Sequence, residues 1–237
     1  MRNILTILLF IGLIIPQTRL NAQQYNFRGY SLEEGLPQSQ VYAIVQDSRG
    51  SLWQATQGGG IARFNGEKFD VFTILEGLVD NQANYLFEDS KKNLWIATFR
   101  GISKFDGAKF TNYGEKEGFT NVNFARIYED AKGTIWVYTQ EDFKNAKLFY
   151  LKDGKFVNFK KETPQLDEQE VFAFYQTKDK NFLISTRQDL WRYDGKRLTP
   201  LPFNDTEFLK NNIIHQVTED QAGRLFFASN MEETSLY

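Results

Sequence analysis

Short alternating runs of hydrophobic and polar residues follow one another along the chain, and each run ends at a turn signal. The first clear set begins with Val41–Asp47 and continues through Leu52–Thr56, Gly60–Phe64 and Lys68–Ile74. Alternation with a period of two is typical of β-strands that bury one face. The dipeptide Asn65-Gly66 between the last two runs is a strong signal for a tight hairpin turn. Because no long run shows the 3.6-residue period of a helix, we expect four-stranded antiparallel units and few helices.

One segment of this unit returns along the chain at a nearly constant spacing. Asp47–Thr56 recurs as Asp89–Thr98 and Asp130–Thr139, with weaker copies at Asn181–Thr186 and Gly223–Ser229. The tryptophans of the three clear copies are Trp53, Trp95 and Trp136, which lie 42 and 41 residues apart. A period of this length indicates an array of propeller blades. We therefore predict an all-β fold, a β-propeller of four-stranded antiparallel blades, with about five blades or as part of a larger propeller. The predicted blades start near Val41, Ala83, Phe124, Val171 and Ile214.

The segment before the first blade resembles the end of a blade. Phe27 lies 42 residues before Phe69, and Gly35 lies 42 residues before Gly77. Residues 25–31 are therefore predicted to form the outer strand of a closing blade, which would remove exposed sheet edges. The alternative is a larger parent protein with further blades. We favour that alternative because Thr234–Tyr237 corresponds to a third strand without the usual turn after it.

The first 22 residues have the layout of a secretory signal peptide. Arg2 precedes the apolar run Ile4–Ile15, and Leu20–Ala22 offers a small-residue cleavage site. The run is shorter than the roughly 20 residues of a membrane span, and an uncleaved anchor is the alternative interpretation. We predict a signal peptide over 1–22, propeller repeats over 23–237, and a periplasmic or extracellular location. Contact with a membrane is expected only through a parent receptor segment absent from this chain.

The charge of the chain argues against nucleic-acid binding, and its cysteine content excludes a disulfide-stabilised fold. Removal of residues 1–22, which contain Arg2 and Arg19 and no acid, changes the formal net charge from −2 to −4. A mildly acidic chain without a basic tract is not expected to bind nucleic acid. The chain has no cysteine, so its fold needs no disulfide.

The aspartates and tryptophans, which are candidates for catalysis or ligand binding, repeat with the blades, and this favours structural roles for them. The turn aspartates are Asp47, Asp89, Asp130 and Asp220. Aspartate before a turn satisfies backbone groups, so we do not interpret these residues as metal ligands or acid catalysts. Tryptophan rings can stack on sugars, but the fixed strand position of Trp53, Trp95 and Trp136 predicts that they form an inter-blade core. His215, the single histidine, is predicted to be a half-buried strand residue. We predict no catalytic residue, no metal and no cofactor.

The repeat also carries a family resemblance. Val41–Phe64 fits the pattern V-x-x-I-x-x-D-x-x-G-x-L-W-x-x-T-x-x-G-[IL]-x-[RK]-[FY] apart from one extra residue before Gly60, and Ala83–Phe105 largely fits it. This pattern resembles the two-component regulator propeller repeat, and the resemblance extends over residues 25–237. It implies the periplasmic sensor region of a hybrid histidine-kinase receptor that responds to carbohydrate breakdown products. The chain departs from such receptors in having fewer blades and no membrane helix, kinase or receiver domain.

The resemblance therefore implies an extracytoplasmic ligand-sensing propeller region of a two-component signalling receptor. We expect a carbohydrate-type ligand and no enzymatic activity, with any kinase lying in a C-terminal region outside this chain. Candidate partners are an oligosaccharide and a second propeller in a homodimer. One alternative is a secreted glycan-binding or glycan-active propeller enzyme, and another is a truncated, non-signalling fragment.

One face of the predicted propeller is rich in amides and arginine. The loops from second to third strands and from fourth to next first strands share this face. The candidate ligand-binding residues in these loops are Gln40, Gln57, Arg100, Gln140 and Arg187, with Gln38, Asn81, Gln82, Asn121, Asn123 and Asn230 nearby. Amides and guanidinium groups pair with hydroxyls and carboxylates, as a sugar or uronic acid requires. The third repeat also lengthens its loop with Glu141, Asp142 and Lys144, and insertions often map to the binding face. The alternative interpretation is that exposed loops are simply polar.

Overall fold

The structure is a computed structural model that describes residues 27–140, 146–166, 169–187, 189–201 and 213–229. The chain divides into two compact units, residues 1–30 and residues 31–237. The predicted signal peptide lies outside the described residues. No helix in the described part of the chain has the length and apolar character needed to cross a membrane.

The second unit is built from consecutive antiparallel sheets, which we call blades 1 to 5. Blade 1 contains β1 (Val41–Gln46), β2 (Leu52–Thr56), β3 (Ile61–Phe64) and β4 (Phe69–Phe72). Blade 2 contains β5 (Ala83–Glu88), β6 (Leu94–Thr98), β7 (Gly101–Phe105) and β8 (Phe110–Tyr113). Blade 3 contains β9 (Phe124–Glu129), β10 (Ile135–Gln140), β11 (Ala146–Lys152) and β12 (Lys155–Asn158). Blade 4 contains β13 (Val171–Gln176), β14 (Phe182–Thr186), β15 (Leu190–Tyr193) and β16 (Leu198–Pro200). Blade 5 contains β17 (Ile214–Glu219) and β18 (Leu225–Ser229).

In each of the four-stranded blades, neighbouring strands in the sequence are neighbours in the sheet. Helical structure among the described residues is limited to a 3-10 turn at Glu115–Glu117 and a helix at Phe159–Glu162. The predicted all-β propeller architecture is therefore confirmed. The expected burial of one strand face holds less well, because strands between two blades are buried on both faces: β6 and β14 are buried at every position.

The segment before blade 1 belongs to no strand where it is described. Residues 27–31 have no strand assignment, and Tyr25 and Asn26 lie outside the described residues. Phe27 is exposed. Closure of a blade by residues 25–31 stays a prediction.

The hydrophobic core lies between blades. Separate clusters join blades 1 and 2, blades 2 and 3, blades 3 and 4, and blades 4 and 5. Trp53, Trp95 and Trp136 each occupy one of the first three clusters and are 1–3% exposed. Each tryptophan points towards the following blade, since its cluster contains residues of that blade. The repeated tryptophan thus supplies apolar area at the seam between consecutive units.

Hydrogen bonds from turns also join the blades. Ser48 donates from its backbone nitrogen and its hydroxyl to the Glu88 carboxylate at 2.7 and 3.0 Å. Ser90 makes the same pair of bonds to Glu129 at 2.8 and 2.6 Å. In the next seam the serine is replaced by alanine, and Gln176 donates from its side chain to the backbone oxygen of Glu129 at 2.8 Å. The turn after the first strand therefore contributes a contact between blades as well as a change of direction.

Blade 1 presents an exposed apolar face on the side away from blade 2. Ile44, Leu52 and Val71 are 36–63% exposed. The residues at the positions of Ile44 and Leu52 in blade 2 are Leu86 and Leu94, and both are buried against blade 1. The same strand position is thus buried or exposed according to whether a blade covers it.

Candidate functional site

The first strands of the blades contact one another along one side of the array. β1 contacts β5, β5 contacts β9, and β13 contacts β17. Four first strands have an irregular register at their second residue, where one extra residue is inserted opposite the second strand. These inserted residues are Tyr42, Asn84, Phe172 and His215. Such bulges redirect side chains and occur often beside functional sites.

The loops of the predicted ligand-binding face are held together by backbone hydrogen bonds. Gln57 donates to the oxygen of Gln40 at 3.1 Å and forms an antiparallel bridge with Gln82. Phe99 then donates to Gln82, and Val122 donates to Phe99, both at 2.9 Å. The connection passes from blade 1 through blade 2 to the start of blade 3. The loop backbone on this face is therefore fixed.

The structure places three predicted site residues near these first strands. Gln40 and Gln57 are joined by the backbone bond described above, and the Gln40 amide donates to the Tyr42 hydroxyl at 3.3 Å. Gln140 ends β10 and lies opposite Phe124 in the sheet. Gln40 and Gln140 thus come next to residues that line a pocket described below.

The two predicted arginines do not join this group. The Arg100 guanidinium lies 3.3 Å from the Asp80 carboxylate, and that of Arg187 lies 2.5 Å from the Glu170 carboxylate. Both are exposed side chains, and the charge of each is already paired with a carboxylate of a neighbouring loop on the same face. Asn230 and the inserted residues Glu141, Asp142 and Lys144 lie outside the described residues.

A cavity of about 420 Å³ opens where the first strands of blades 1, 2 and 3 begin. We call it the inner-strand pocket. Its walls include Tyr42, Gln82, Asn84, Phe99, Phe124 and Arg126. Tyr42 and Phe124 are 49% and 39% exposed, so aromatic surface is available to a ligand. The walls combine aromatic rings, amides and one guanidinium group on the face that the sequence predicts to bind ligand.

Arg126 is held over aromatic rings at this pocket. Its guanidinium carbon lies 4.3 Å from the ring centre of Phe124 and 5.1 Å from that of Tyr85. Its side chain donates to the backbone oxygen of Ala125 at 3.1 Å. Stacking on aromatic faces suits the planar, weakly hydrated guanidinium and fixes its orientation. Burial raises the pKa of Tyr85 although Arg126 opposes this, so Tyr85 is a neutral ring beneath the cation.

Asn84 spans the pocket wall between blades 2 and 3. Its amide nitrogen donates to the backbone oxygens of Val122 at 2.8 Å and Asn123 at 3.5 Å. The two carbonyl groups fix the amide orientation, since the reversed amide would place oxygen against oxygen. The side-chain oxygen of Asn84 is buried and has no hydrogen-bond partner among the described residues. It is therefore a buried acceptor at the pocket wall whose hydrogen-bonding capacity is unused.

The sequence reasoning missed Arg126 because it searched loops and this residue lies within a strand. A signal was nonetheless present in the repeat alignment. At the same strand position the other blades carry Ala43, Tyr85, Ala173 and Gln216. Arg126 is the only charged residue at this position of the five repeats, and this departure from the repeat indicates a role other than blade packing.

A second cavity of about 530 Å³ lies at the seam between blades 3 and 4. Its aromatic walls belong to the core, since Phe159 packs on Trp136 at 5.0 Å and on Tyr193 at 4.9 Å between ring centres. The Glu162 carboxylate in its wall accepts a hydrogen bond from the Tyr150 hydroxyl. Burial, together with this hydrogen bond, raises the pKa of Tyr150 to about 12. Within the described residues, no group of three or more His, Cys, Asp or Glu side chains is placed to hold a metal ion.

Comparison with known proteins agrees with this architecture. Residues 35–58 and 77–100 match the two component regulator propeller family. These two segments contain the Asp47–Trp53 and Asp89–Trp95 pairs that define the repeat. No protein with a curated function matches the sequence.

Solved structures resemble this repeat propeller at low sequence identity. The extracellular domain of BT4673, described as a hybrid two component system of B. thetaiotaomicron, is 18% identical with a TM-score of 0.57. The match covers 80% of this chain and 26% of that domain. The extracellular domain of BT3049 from the same organism is 19% identical, with a TM-score of 0.50 over 86% of this chain and 34% of that one.

An enzyme shares the fold as well. Virginiamycin B lyase from Staphylococcus aureus is 16% identical, with a TM-score of 0.55 over 80% of this chain and 63% of the lyase. The chain thus spans about a quarter to two thirds of the length of these structures. Similarity at this level shows the fold, which sensor domains and enzymes have in common.

Proposed function

We propose that this chain is an extracytoplasmic ligand-sensing propeller region of a two-component signalling receptor and binds a carbohydrate-type ligand at the inner-strand pocket. The observation that carries the proposal is the composition of the pocket walls. Exposed rings of Tyr42 and Phe124 stand beside the amides of Gln82 and Asn84. Aromatic rings accept the apolar face of a sugar, while amides donate to and accept from its hydroxyls.

The backbone around the pocket supports a binding role. The bonds that link Gln40, Gln57, Gln82 and Phe99 hold the loops in one arrangement before any ligand arrives. A site of this kind loses little conformational entropy on binding. A volume of about 420 Å³ is also in the range of small-ligand sites.

The comparisons support the sensing part of the proposal. The family of the two matched repeats is named for two-component regulators, and two similar structures are extracellular domains described as hybrid two component systems. In this proposal the chain recognises the ligand and the kinase lies in another segment of the receptor. An extracytoplasmic location follows from the predicted signal peptide.

A glycan-active enzyme is the second candidate, and the fold is compatible with catalysis, because virginiamycin B lyase shares it. The two candidates differ in the fate of the ligand. A sensing region returns the oligosaccharide unchanged, whereas an enzyme converts it.

Binding and turnover are tested on the same sample. The purified full chain is titrated calorimetrically with neutral and acidic oligosaccharides, and each mixture is then analysed by mass spectrometry. We expect saturable binding to one class of oligosaccharide and recovery of that ligand intact. A Phe124→Ala variant should bind the same oligosaccharide about 10-fold more weakly through loss of ring stacking. Leu75→Ala is the matched control, since Leu75 is exposed and lies outside the pocket walls.

Two outcomes would overturn the proposal. Absence of binding to every oligosaccharide would remove the ligand class, and conversion of the bound oligosaccharide would favour the enzyme. The double variant with Arg100→Ala and Arg187→Ala separates the loop arginines from the pocket. Since both arginines are already paired with carboxylates, we expect this variant to retain most of the affinity.

A further inference from the structure

We propose that the inner-strand pocket selects a carboxylate-bearing ligand, with Arg126 binding the carboxylate and the side-chain oxygen of Asn84 accepting from a neighbouring hydroxyl. This inference rests on the proposed function, because it names the ligand class for the same pocket. For a carbohydrate-type ligand, the predicted class is a uronic acid or an oligosaccharide that contains one.

The first argument is the charge of Arg126. Among the described arginines only Arg63 and Arg126 are half-buried, while the others are exposed. Arg63 has the Asp70 carboxylate at 2.8 Å. No carboxylate of a described residue lies within 4 Å of Arg126. Removal of a cation from water is costly unless an anion or hydrogen-bond acceptors compensate it, so Arg126 is arranged to receive an anion from outside the described structure.

The second argument is the geometry of the guanidinium group. Phe124 and Tyr85 hold it by ring contacts, and one nitrogen donates to the oxygen of Ala125. A guanidinium group has five N–H donors, so this single bond leaves donors for a ligand. Arginine binds carboxylates through two parallel N–H donors, and a pre-oriented group gives this arrangement directional selectivity.

The third argument is the acceptor in the same pocket. The side-chain oxygen of Asn84 is buried without a partner, and its amide nitrogen is engaged by Val122 and Asn123. Asn84 therefore offers an acceptor and Arg126 offers donors. A ligand with both a carboxylate and a hydroxyl satisfies both groups, and the exposed ring of Phe124 accepts its apolar face. A neutral sugar leaves the charge of Arg126 uncompensated.

The test compares uronate oligosaccharides with their carboxyl-reduced counterparts, which keep the same linkages and ring stereochemistry but lack the charge. The probes are galacturonate and glucuronate oligosaccharides, titrated into the full chain. We expect an acidic oligosaccharide to bind about 10- to 100-fold more tightly than its reduced form, as a hydrogen-bonded charge predicts. Binding of the reduced form with equal affinity would overturn this inference and leave the proposed function standing. Absence of binding to all oligosaccharides, neutral or acidic, would overturn both.

Variants test which residue is responsible for the preference for the acidic oligosaccharide. Arg126→Met keeps the length of the side chain and removes its charge, so we expect the preference for the acidic form to fall to about twofold or less. Arg100→Met is the matched control, because Arg100 is exposed and already paired with Asp80, and it should retain the preference. A folded Arg126→Met variant with the full preference would exclude Arg126 as the anion-binding residue. The comparison of acidic and reduced forms in the unmodified chain remains decisive if Arg126→Met does not fold.

Discussion

The indole nitrogen of Trp95 donates a 2.8 Å hydrogen bond to the Asp89 carboxylate, and this bond explains the spacing within the repeat. Trp53 bonds to Asp47 at 2.8 Å and Trp136 to Asp130 at 3.0 Å in the same way. The Asp89 carboxylate also accepts from the backbone nitrogens of Lys91 and Asn93. One carboxylate therefore fixes the turn and orients the ring that fills the seam between blades. A group with all these partners is structural, which accounts for its recurrence.

Replacement of Asp89 by alanine should destabilise the propeller. The substitution leaves the buried indole N–H of Trp95 and two turn N–H groups without their acceptor. We expect a loss of about 2–4 kcal/mol, measured as a lower urea midpoint by tryptophan fluorescence. Asp220→Ala is the matched control, because Phe226 stands at the tryptophan position of blade 5 and supplies no N–H group. Equal losses in both variants would contradict the importance of the indole bond.

Leu86 and Ile44 occupy the same strand position in consecutive blades and test whether blade packing sets stability. Leu86 is 4% exposed against blade 1, whereas Ile44 is 63% exposed. Leu86→Ala should cost about 2–5 kcal/mol through lost burial and a cavity. Ile44→Ala should change stability by less than about 1 kcal/mol. Urea denaturation of both variants measures the difference. A comparable loss in Ile44→Ala would indicate that its face is covered in solution.

The fold could be predicted from the sequence because the signals that specify it are short, local motifs that recur from one repeat to the next. Turn signals such as Asn65-Gly66 and the fixed place of Trp53 determine where strands begin, and the first strands start at Val41, Ala83, Phe124, Val171 and Ile214. The bulges at Tyr42 and Asn84 were not predicted. A bulge inserts a residue opposite the partner strand, and alternation along a single strand does not reveal this.

The candidate site was predictable only in part, because it depends on contacts between distant residues. The face was inferred from strand order, and Gln40 does lie beside Tyr42 of the pocket. The pairing of Arg187 with Glu170 joins residues 17 apart across two loops, and no local pattern encodes that distance. Arg126 differs from Arg187, because no carboxylate of a described residue pairs with it. Its interest as a binding residue depends on that difference.

Gly60 is required by the close approach of another strand. Its φ is 78°, and a β-carbon there would lie 2.2 Å from the backbone oxygen of Phe72. Gly66 also has a positive φ, of 102°, but a β-carbon there would have no neighbour within 4 Å. Gly66→Ala should therefore show only the cost of the backbone conformation, about 1–2 kcal/mol.

Gly60→Ala should be clearly more destabilising than Gly66→Ala, because its β-carbon must displace backbone as well. Thermal unfolding of both variants, followed by circular dichroism, gives the comparison. Equal melting temperatures would mean that the contact between Gly60 and Phe72 relaxes without cost.

The last prediction concerns the Arg63–Asp70 pair and the dependence of stability on pH. The hydrogen bond from Arg63, at 2.8 Å, lowers the pKa of Asp70 below its ordinary value of 3.8. A carboxyl group whose pKa is lower in the folded state stabilises the fold above the unfolded pKa. This contribution is lost as the pH falls below 3.8 and through the folded pKa.

The unmodified chain loses folding free energy between about pH 5 and about pH 2.5, and Asp70→Asn should make that loss smaller. The difference should be no more than about 1 kcal/mol, because the pair is partly exposed. Arg63→Met should partly flatten the stability profile over the same pH interval, because it removes the largest of the contributions that lower the pKa of Asp70, while Lys68 remains. The double variant should show no further flattening than Asp70→Asn alone. Urea midpoints measured across the interval for the four proteins test this. An unchanged pH profile in both single variants would show that the pair does not contribute to stability in solution.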